Sequence, residues 1–466
     1  MAPYGTPENS QTAVVMVPLP AQGHLNQLLH LSRLLAAANL SVYYIGAATH
    51  VRQARLRVHG WNDSGTAAAA ARIHFQEFET APFQTPPPNP NSSNKFPDQL
   101  IPAITAAMSL RDPITAFVGR LSADFRRVVV IFDSLMSYVV QDLDSVSNAE
   151  AYCFRSVSAF TAYAIYWERR GMPAVAPGAE ILREIPGSDG CFSPEFLEYT
   201  KHQQGAKKIF CADIYNSCNE IEGFFLDLLE KEKSTGADKV WPLGPFNPVS
   251  KLEPAGSACL EWLDRQEPDS VIFVSFGSTT SMSDEQIREI AAGLERSRQK
   301  FLWVLRDADK GDIFTGDVRK PDLPQGFEER TKKQGMIVRD WAPQLKILGH
   351  LSTGGFMSHC GWNSSIESIS MGVPIVAWPM HSDQPRNAVL LTKVLRVGLE
   401  VRDWSSRDDI VGSDTVENVV MKLMACEEGN KIRKRARELG IKVRESTIVG
   451  GTSRTKMDAF IAHITR

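Results

Sequence analysis

The residues best suited to chemistry lie in two turns between Trp341 and Gln384. The apolar run Gly355–Ser358 leads into the turn HCGWNSS, and the run Val373–Trp378 leads into the turn PMHSDQ. A stretch that predicts a helix follows each turn. In an open α/β sheet, ligands bind at the carboxyl ends of the strands, where the next helix points its free backbone N–H groups. The sequence therefore predicts one binding site built from both turns.

The first part of this stretch has the chemistry of a nucleotide site. Trp341 offers a flat face on which a base can stack, with Ala342 and Gln344 beside it. A helix that opens at Asn363 and Ser364 has residues favoured as N-caps, and its partial positive end suits a diphosphate. We therefore interpret the region from Trp341 to Ser364 as a site for a base and its phosphates.

The second part suits ribose and a sugar. Glu367, about one turn into the predicted helix, can accept hydrogen bonds from the two ribose hydroxyls, and Asp383 and Gln384 can bind sugar hydroxyls. The chain order is thus base, ribose, diphosphate and sugar. The alternative is that GGF, HCG and VPIVAWP are only buried strand ends with turn glycines, which leaves the polar cluster unexplained.

His24 is the candidate base in the first half of the chain. It follows the apolar run Thr12–Pro20, where a strand is predicted to end and a helix to begin. A helix N-terminus disfavours imidazolium, so we expect the ring to be neutral near pH 7 and able to accept a proton. The alternative is a histidine with a purely structural role.

Asp133 ends the apolar run Arg126–Ser134 and is the candidate partner of His24. A carboxylate on the same rim of the sheet can accept a hydrogen bond from the imidazole, fix its tautomer and stabilise imidazolium as it forms. The alternative is that Asp133 is an N-cap for the next helix.

Two Asp-X-Asp sequences, at 142–144 and 307–309, have a spacing that binds metal–nucleotide complexes in some transferases. The spacing is common by chance, and it falls in a predicted helix in one case and in a loop in the other. The charge of a diphosphate can instead be met by His359, Asn363, Ser364 and the helix N-terminus. We therefore predict no metal and no other cofactor.

Strands and helices alternate through both halves of the chain, which predicts an α/β protein with two doubly wound domains. GxGxxG and GxxxxGK[ST] are absent, which argues against a dinucleotide fingerprint and a P-loop. Most of residues 67–94 reads as loop, and the Pro- and Gly-rich stretch near 241–256 reads as an interdomain linker. The run VIFVSFG predicts a strand that ends near Ser278, where small residues let a phosphate approach the backbone.

The composition is that of an ordinary globular protein. The chain has 466 residues, 43% hydrophobic and 23% charged, and a formal net charge of −3. That charge gives no support for a nucleic-acid or anionic-membrane partner. No apolar run is long enough for a membrane span, the start lacks a signal-peptide pattern, and the seven cysteines lack CxxC spacing. We expect a cytoplasmic, monomeric protein with reduced thiols.

The stretch from Trp341 to Gln384 resembles the signature box of the plant secondary-product UDP-glycosyltransferases. The matching segments are WAPQ, HxxxGGFxxHCGWNS, the following Glu, GVP and the closing DQ. The resemblance extends to PxPAQGHxNQ and VIFDS, which look like the sites of that family's His–Asp dyad. It implies the glycosyltransferase B architecture, with two Rossmann-like domains facing across a cleft. It also implies His24 and Asp133 as catalytic residues and the following UDP-sugar-binding residues: Ser278, Trp341, Ala342, Gln344, His359, Trp362, Asn363, Ser364, Glu367, Asp383 and Gln384.

The expected domains are an N-terminal acceptor domain at 1–245, a linker at 246–257 and a C-terminal UDP-sugar domain at 258–445. A last helix, at 446–466, is expected to pack back on the first domain. The family's closing Gln, here Gln384, goes with glucose in most members, although xylose differs by only one hydroxymethyl group.

The resemblance is strongest to the zeatin O-glucosyltransferases, through HLNQLLHLS and AWPMHSDQPRN. It implies inverting transfer of glucose from UDP-glucose to the side-chain hydroxyl of a cytokinin, with the cis isomer of zeatin favoured. A phenolic or flavonoid acceptor is the alternative within the class. A nucleotide-sugar-binding protein without catalysis and a UDP-sugar hydrolase are alternatives of other kinds.

Overall fold

The computed structural model describes residues 11–57, 70–173, 177–249 and 257–466. The predicted leader at 1–10, residues 67–69 of the predicted loop and residues 250–256 of the predicted linker lie outside these ranges. Within the described ranges no helix combines the length and the apolar composition needed to cross a bilayer.

The first half of the chain forms a seven-stranded parallel sheet with the order β3-β2-β1-β4-β5-β6-β7. Its strands are β1 (Thr12–Val17), β2 (Ser41–Ala47), β3 (Ile73–Phe78), β4 (Arg127–Asp133), β5 (Ala149–Arg155), β6 (Phe210–Tyr215) and β7 (Lys239–Pro242). Helices cover both faces, which explains why β1 is apolar from Ala13 to Val17 rather than alternating. Ala13 and Val15 pack in the core on one face, and Val14 and Met16 in the core on the other.

The second half forms a six-stranded parallel sheet with the order β10-β9-β8-β11-β12-β13. Its strands are β8 (Val271–Ser275), β9 (Lys300–Val304), β10 (Gly335–Val338), β11 (Thr353–Ser358), β12 (Ile375–Ala377) and β13 (Gly398–Glu400). Two parallel sheets, each with its own helices, make two Rossmann-like domains, as the sequence predicted.

Eighteen α-helices lie in the described ranges. In the first half they are α1 (Gln22–Ala37), α2 (Ala48–Leu56), α3 (Ile101–Ala106), α4 (Arg111–Asp124), α5 (Ser137–Val140), α6 (Ala159–Arg169), α7 (Ala179–Leu182), α8 (Pro194–Gly205) and α9 (Asn219–Lys231). In the second half they are α10 (Ala258–Leu263), α11 (Asp284–Ser297), α12 (Phe327–Thr331), α13 (Gln344–Leu348), α14 (Trp362–Met371), α15 (Gln384–Val389), α16 (Ser413–Ala425), α17 (Glu427–Thr447) and α18 (Thr452–Ile464).

Two strands of the first sheet differ from the sequence prediction. Strand β3 lies inside the stretch read as loop, because its IHFQEF sequence is that of a half-exposed edge strand and carries no long apolar run. Strand β7 includes Trp241 and Pro242, which the sequence assigned to the linker, and it pairs with β6 at the edge of the sheet. Pro242 is tolerated there because β7 is an edge strand.

Helix α18 packs on the first sheet. Phe460 lies 5.4 Å from Tyr152 and 5.3 Å from Trp241, measured between ring centroids. Met457 and Ile464 are buried in the same apolar cluster. The last helix thus packs against the first sheet.

Candidate active site

The imidazole of His24 is hydrogen-bonded to Asp133. The distance from Nδ1 of His24 to Oδ2 of Asp133 is 2.7 Å. The pair forms because β1 and β4 are neighbours at the point where the strand order reverses, and Val17 pairs with Phe132 in the sheet register. The residues that follow these two strands therefore meet at one edge, where doubly wound sheets bind ligands.

Asp133 serves both roles that the sequence left open. Its Oδ2 atom binds His24, while its Oδ1 atom accepts a hydrogen bond from the backbone N–H of Leu135 at 2.9 Å, capping the turn Ser134–Met136. The carboxylate is fully buried. The cap holds the carboxylate in place, so Asp133 can orient the imidazole and leave Nε2 for a substrate.

The pKa of His24 is raised above its usual 6.5, which contradicts the expectation of a lowered value at a helix N-terminus. Burial lowers the pKa of His24, but the charge and hydrogen bond of Asp133, together with the charge of Asp383, raise it by more. The two carboxylates therefore outweigh the effect of burial on the His24 pKa. The ring is neutral only at a higher pH than the sequence argument implied.

The second sheet repeats this arrangement at its own reversal point, between β8 and β11. Ser358 pairs with Ser275 in the register, which brings Ser278 and His359 together after the two strands. His359 lies between Gly277 and Gly361, where an added Cβ would be 2.6 Å from Nε2 of the ring in each case. The glycines are therefore required for this close approach.

His359 presents a neutral imidazole. Burial lowers its pKa to about 4. Within the described part of the chain its buried Nδ1 atom has no hydrogen-bond partner. A neutral ring can bind an anion only by hydrogen bonding, so the N-terminus of the following helix must supply the positive potential.

Helix α14 begins at Trp362, with Gly361 as its N-cap and no side-chain cap. The expectation that Asn363 and Ser364 cap this helix was therefore wrong, since the turn through Cys360, at φ 64°, starts the helix earlier. Both side chains instead line the cavity. The uncapped N–H groups of α14 remain for a ligand.

Trp362 lines the same cavity, but its indole N–H is already used. Its Nε1 atom donates to the carbonyl of Asn216 at 3.0 Å, across the domain interface. Its contribution to the site is therefore an apolar surface and a tie between the domains.

Trp341 also lines the cavity, with Ala342 and Gln344 beside it. Two guanidinium groups lie over its ring: Arg57 of the first domain at 4.5 Å and Arg306 of the second at 5.6 Å from the centroid. Both arginines pair with Asp309. The indole predicted to stack with a base is thus held by charges from both sides of the cleft.

Glu367 lies behind the cavity lining. Its Oε2 atom accepts from Nε2 of Gln344 at 2.8 Å, and its Oε1 atom accepts from Nδ2 of Asn363 at 3.4 Å. It is fully buried, and burial raises its pKa to about 7. A ribose hydroxyl can bind this carboxylate only if the hydrogen bond from Gln344 or from Asn363 breaks. The role of Glu367 in ribose binding therefore stays a prediction.

The turn after β12 supplies the predicted sugar-binding residues. Asp383 and Gln384 both line the cavity. Oε1 of Gln384 accepts from the backbone N–H groups of Met380 and His381 at 2.9 and 3.1 Å, which fixes the amide so that its Nε2 is the donor. Burial raises the pKa of Asp383.

An apolar wall on the first domain completes the cavity, which encloses about 1350 Å³ including the part that opens to solvent. Phe96 and Phe196 lie 4.6 Å apart between ring centroids, and Phe96 also meets the edge of His381 at 5.8 Å. The other apolar residues that line it are Leu19, Pro97, Leu100, Ile104 and Leu135. The sequence did not single out this wall, because its residues come from distant segments and resemble any core residues.

The carboxylates of the two Asp-X-Asp sequences lie beside arginine and lysine side chains of the protein. Asp142 pairs with Arg111, and Asp144 with Lys207. Asp307 binds Ser281 and lies 3.7 Å from Arg319, while Asp309 pairs with Arg57 and Arg306. Their carboxylates are thus used in structural pairs.

Two family models match the chain. The glycosyltransferase N-terminal domain model matches residues 10–248, and the UDP-glucuronosyl and UDP-glucosyl transferase model matches residues 249–424. The chain belongs to the UDP-glycosyltransferase family. It is therefore an enzyme that transfers a sugar from a UDP donor to a small acceptor.

Curated relatives of this glycosyltransferase match it along nearly its whole length. Zeatin O-glucosyltransferase from Phaseolus lunatus is 50% identical over 99% of the chain and 98% of the relative. Zeatin O-xylosyltransferase from Phaseolus vulgaris is 49% identical over 98% of the chain and 99% of the relative.

Solved glycosyltransferase structures share the fold. Phytolacca americana UGT2, in complex with UDP-2-fluoro-glucose and pterostilbene, matches with a TM-score of 0.73 and 27% identity over 97% of this chain and 99% of the other. The expected glycosyltransferase B architecture of two facing Rossmann-like domains is thereby confirmed.

Proposed function

We propose that this glycosyltransferase moves glucose from UDP-glucose to the side-chain hydroxyl of zeatin by a single inverting displacement. His24 takes the proton from the acceptor hydroxyl through Nε2 while Asp133 holds Nδ1. The acceptor oxygen forms a bond to the anomeric carbon as the bond from that carbon to the diphosphate oxygen breaks, and UDP leaves. Proton removal by a positioned base contributes about 10²–10⁴-fold in rate.

The observation that carries this proposal is that His24 and the predicted donor residues, apart from Glu367, line one cavity from opposite domains. The influence of Asp383 on the pKa of His24 supports their closeness, because the base and the sugar-binding turn must flank the same anomeric carbon. A retained His24–Asp133 pair also favours a catalyst over a binding protein without activity.

The apolar wall of Phe96, Phe196 and their neighbours supports a flat, neutral acceptor such as an adenine with an unsaturated side chain. The name of the relative at 50% identity supports zeatin itself. The preference for the cis isomer rests on the sequence resemblance alone and stays a prediction. A phenolic or flavonoid ring would also find a flat apolar surface on this wall.

A second donor deserves the same assay. The relative named for xylosyl transfer is 49% identical, nearly as similar as the glucosyl relative. UDP-xylose lacks only the hydroxymethyl group of UDP-glucose. We favour glucose because of Gln384, and UDP-xylose is the donor that tests this choice.

The deciding experiment offers both UDP-sugars to the protein with cis-zeatin, trans-zeatin and a panel of flavonols. Glycosides are identified by mass, and the anomeric proton coupling shows the configuration. A β-glucoside of zeatin is expected. Free glucose without acceptor would indicate a hydrolase, product only with flavonols would overturn the zeatin assignment, and an α-product would overturn direct inversion.

We also propose that transfer needs no metal, since the N-terminus of α14 and the N–H groups around it can stabilise the leaving diphosphate. Full activity in EDTA, with Mg²⁺ as the comparison, is the expected result. A monomeric, cytoplasmic state, the domain boundaries at 245 and 258 and the donor-binding roles of individual residues stay predictions. Light scattering on the purified chain tests the first of them.

A further inference from the structure

We propose that Asn387 is a positioning residue that fixes the Asp383 carboxylate for the donor sugar and ties it to the acceptor domain. The inference rests on the proposed role of Asp383 in sugar binding. Asn387 lies on α15, one turn beyond Asp383, and its side chain is fully buried.

The amide of Asn387 uses its whole hydrogen-bonding capacity. Its Nδ2 atom donates to Oδ2 of Asp383 at 2.8 Å and to the carbonyl of Cys360 at 2.9 Å. Its Oδ1 atom accepts from the hydroxyls of Ser158 at 3.0 Å and Thr161 at 3.3 Å. Because a carboxylate and a carbonyl only accept, they require the N–H₂ side, and the orientation of the amide is fixed.

The four partners come from three turns at the carboxyl ends of strands. Ser158 and Thr161 follow β5 in the first sheet and open α6. Cys360 follows β11, and Asp383 follows β12, in the second sheet. One side chain therefore joins the start of an acceptor-domain helix to the diphosphate turn and to the sugar turn.

The consequence for Asp383 is that Oδ2 is held and Oδ1 is the oxygen that can meet a sugar hydroxyl. Burial raises the pKa of Asp383, and the hydrogen bond from Asn387 opposes that rise. Asn387 thus favours an ionised, oriented carboxylate. Hydrogen bonds to charged groups are about twice as strong as neutral ones, so loss of this orientation should weaken sugar binding more than nucleotide binding.

The test compares UDP with UDP-glucose in calorimetry on the Asn387→Asp variant. A carboxylate at this position faces two acceptors and cannot donate to Asp383. UDP affinity is expected to stay within about two-fold, while the dissociation constant of UDP-glucose rises about ten-fold or more, the range for a lost hydrogen bond to a charged group. The KM for UDP-glucose should rise in parallel.

Asn148→Asp is the matched control. Nδ2 of Asn148 donates to the carbonyls of Ser122 and Phe125 at 3.0 and 2.9 Å, so this substitution also replaces an amide donor by a carboxylate, but at a half-buried position at the opposite end of the first sheet. It is expected to lower thermal stability and leave the ratio of UDP-glucose to UDP affinity unchanged.

A purely structural role for Asn387 would lower both affinities together, and that result would overturn the inference. An unchanged ratio in the Asn387 variant would also overturn it. Asp383→Asn, measured alongside, separates the two proposals: an unchanged ratio there would overturn the sugar-binding role itself. If Asn387→Asp does not fold, Asn387→Ala adds no charge and must show the same selective loss.

Discussion

Nδ1 of His24 lies 2.7 Å from Oδ2 of Asp133, across 109 positions of sequence. The contact exists because two neighbouring parallel strands end side by side, and it converts two unremarkable polar residues into a base with a fixed tautomer.

Replacing His24 by alanine should abolish transfer and leave UDP binding intact. The imidazole is the proposed proton acceptor, whereas the predicted UDP contacts all lie on the other domain. We expect kcat to fall by about 10²–10⁴-fold. The measurement is steady-state transfer together with calorimetry of UDP. Full activity in this variant would remove His24 from the mechanism.

Transfer should show an acidic limb governed by His24. Its pKa is raised above 6.5, so protonation inactivates the base below that raised value and kcat/KM for the acceptor rises with pH through it. The same raised pKa means that the pair stabilises the fold fully below pH 6.5 and loses this contribution as the pH rises through the folded value.

The variant Asp133→Asn tests the origin of this pH dependence. Removing the carboxylate takes away the main interaction that raises the pKa of His24, so the acidic limb should move to lower pH while the maximal rate falls. The pH–rate profiles of the two proteins give the comparison. An acidic limb at the same pH in both would mean that another group titrates.

Gly277→Ala should weaken UDP binding. The residue has φ 76°, and an added Cβ would lie 2.6 Å from Nε2 of His359. Strain in this backbone region costs about 1–2 kcal/mol, and the ring must also move. Gly119→Ala on α4, with open space around the added atom, is the control and should leave UDP affinity unchanged. Equal UDP affinity in both variants would contradict the tight packing of His359.

Trp341→Ala should reduce UDP affinity, because an aromatic face that stacks on a base contributes about 1–3 kcal/mol, or roughly 5- to 150-fold in the dissociation constant. Trp341→Phe keeps a flat ring and should retain most of the affinity. Calorimetry with UDP measures both. If the alanine variant bound UDP as well as the parent, the base would have to lie elsewhere.

Asp309→Ala should lower the thermal stability of the protein, because Asp309 pairs with Arg57 and Arg306 and its removal leaves two largely buried cations unpaired. Breaking a buried pair in this way costs about 3–5 kcal/mol. The control is Asp144→Ala, which breaks an exposed pair with Lys207 and should cost at most about 1 kcal/mol. If both variants lost the same amount of melting temperature, the pairs of Asp309 across the cleft would contribute no more stability than an exposed pair.

Several features were predictable because they depend on local pattern. The alternation of apolar runs and helical stretches indicated two doubly wound domains, and the positions of His24 and Asp133 at strand ends indicated a shared rim. The edge strand β3 and the three-residue strand β13 carry no such pattern, since an edge or very short strand needs no continuous apolar run. The start of α14 also depended on the backbone turn at Cys360 rather than on side-chain preference.

The sequence by itself determined the fold class and the types of residue at the cleft, because strand ends and turns depend on short stretches of sequence. The tertiary structure alone decided the direction of the His24 pKa shift, the apolar wall around Phe96 and Phe196, and the four hydrogen bonds of Asn387. Each of these depends on distances between side chains from distant segments, often from opposite domains. Electrostatic and hydrogen-bonding energies fall off steeply with such distances, and only the packed chain sets them.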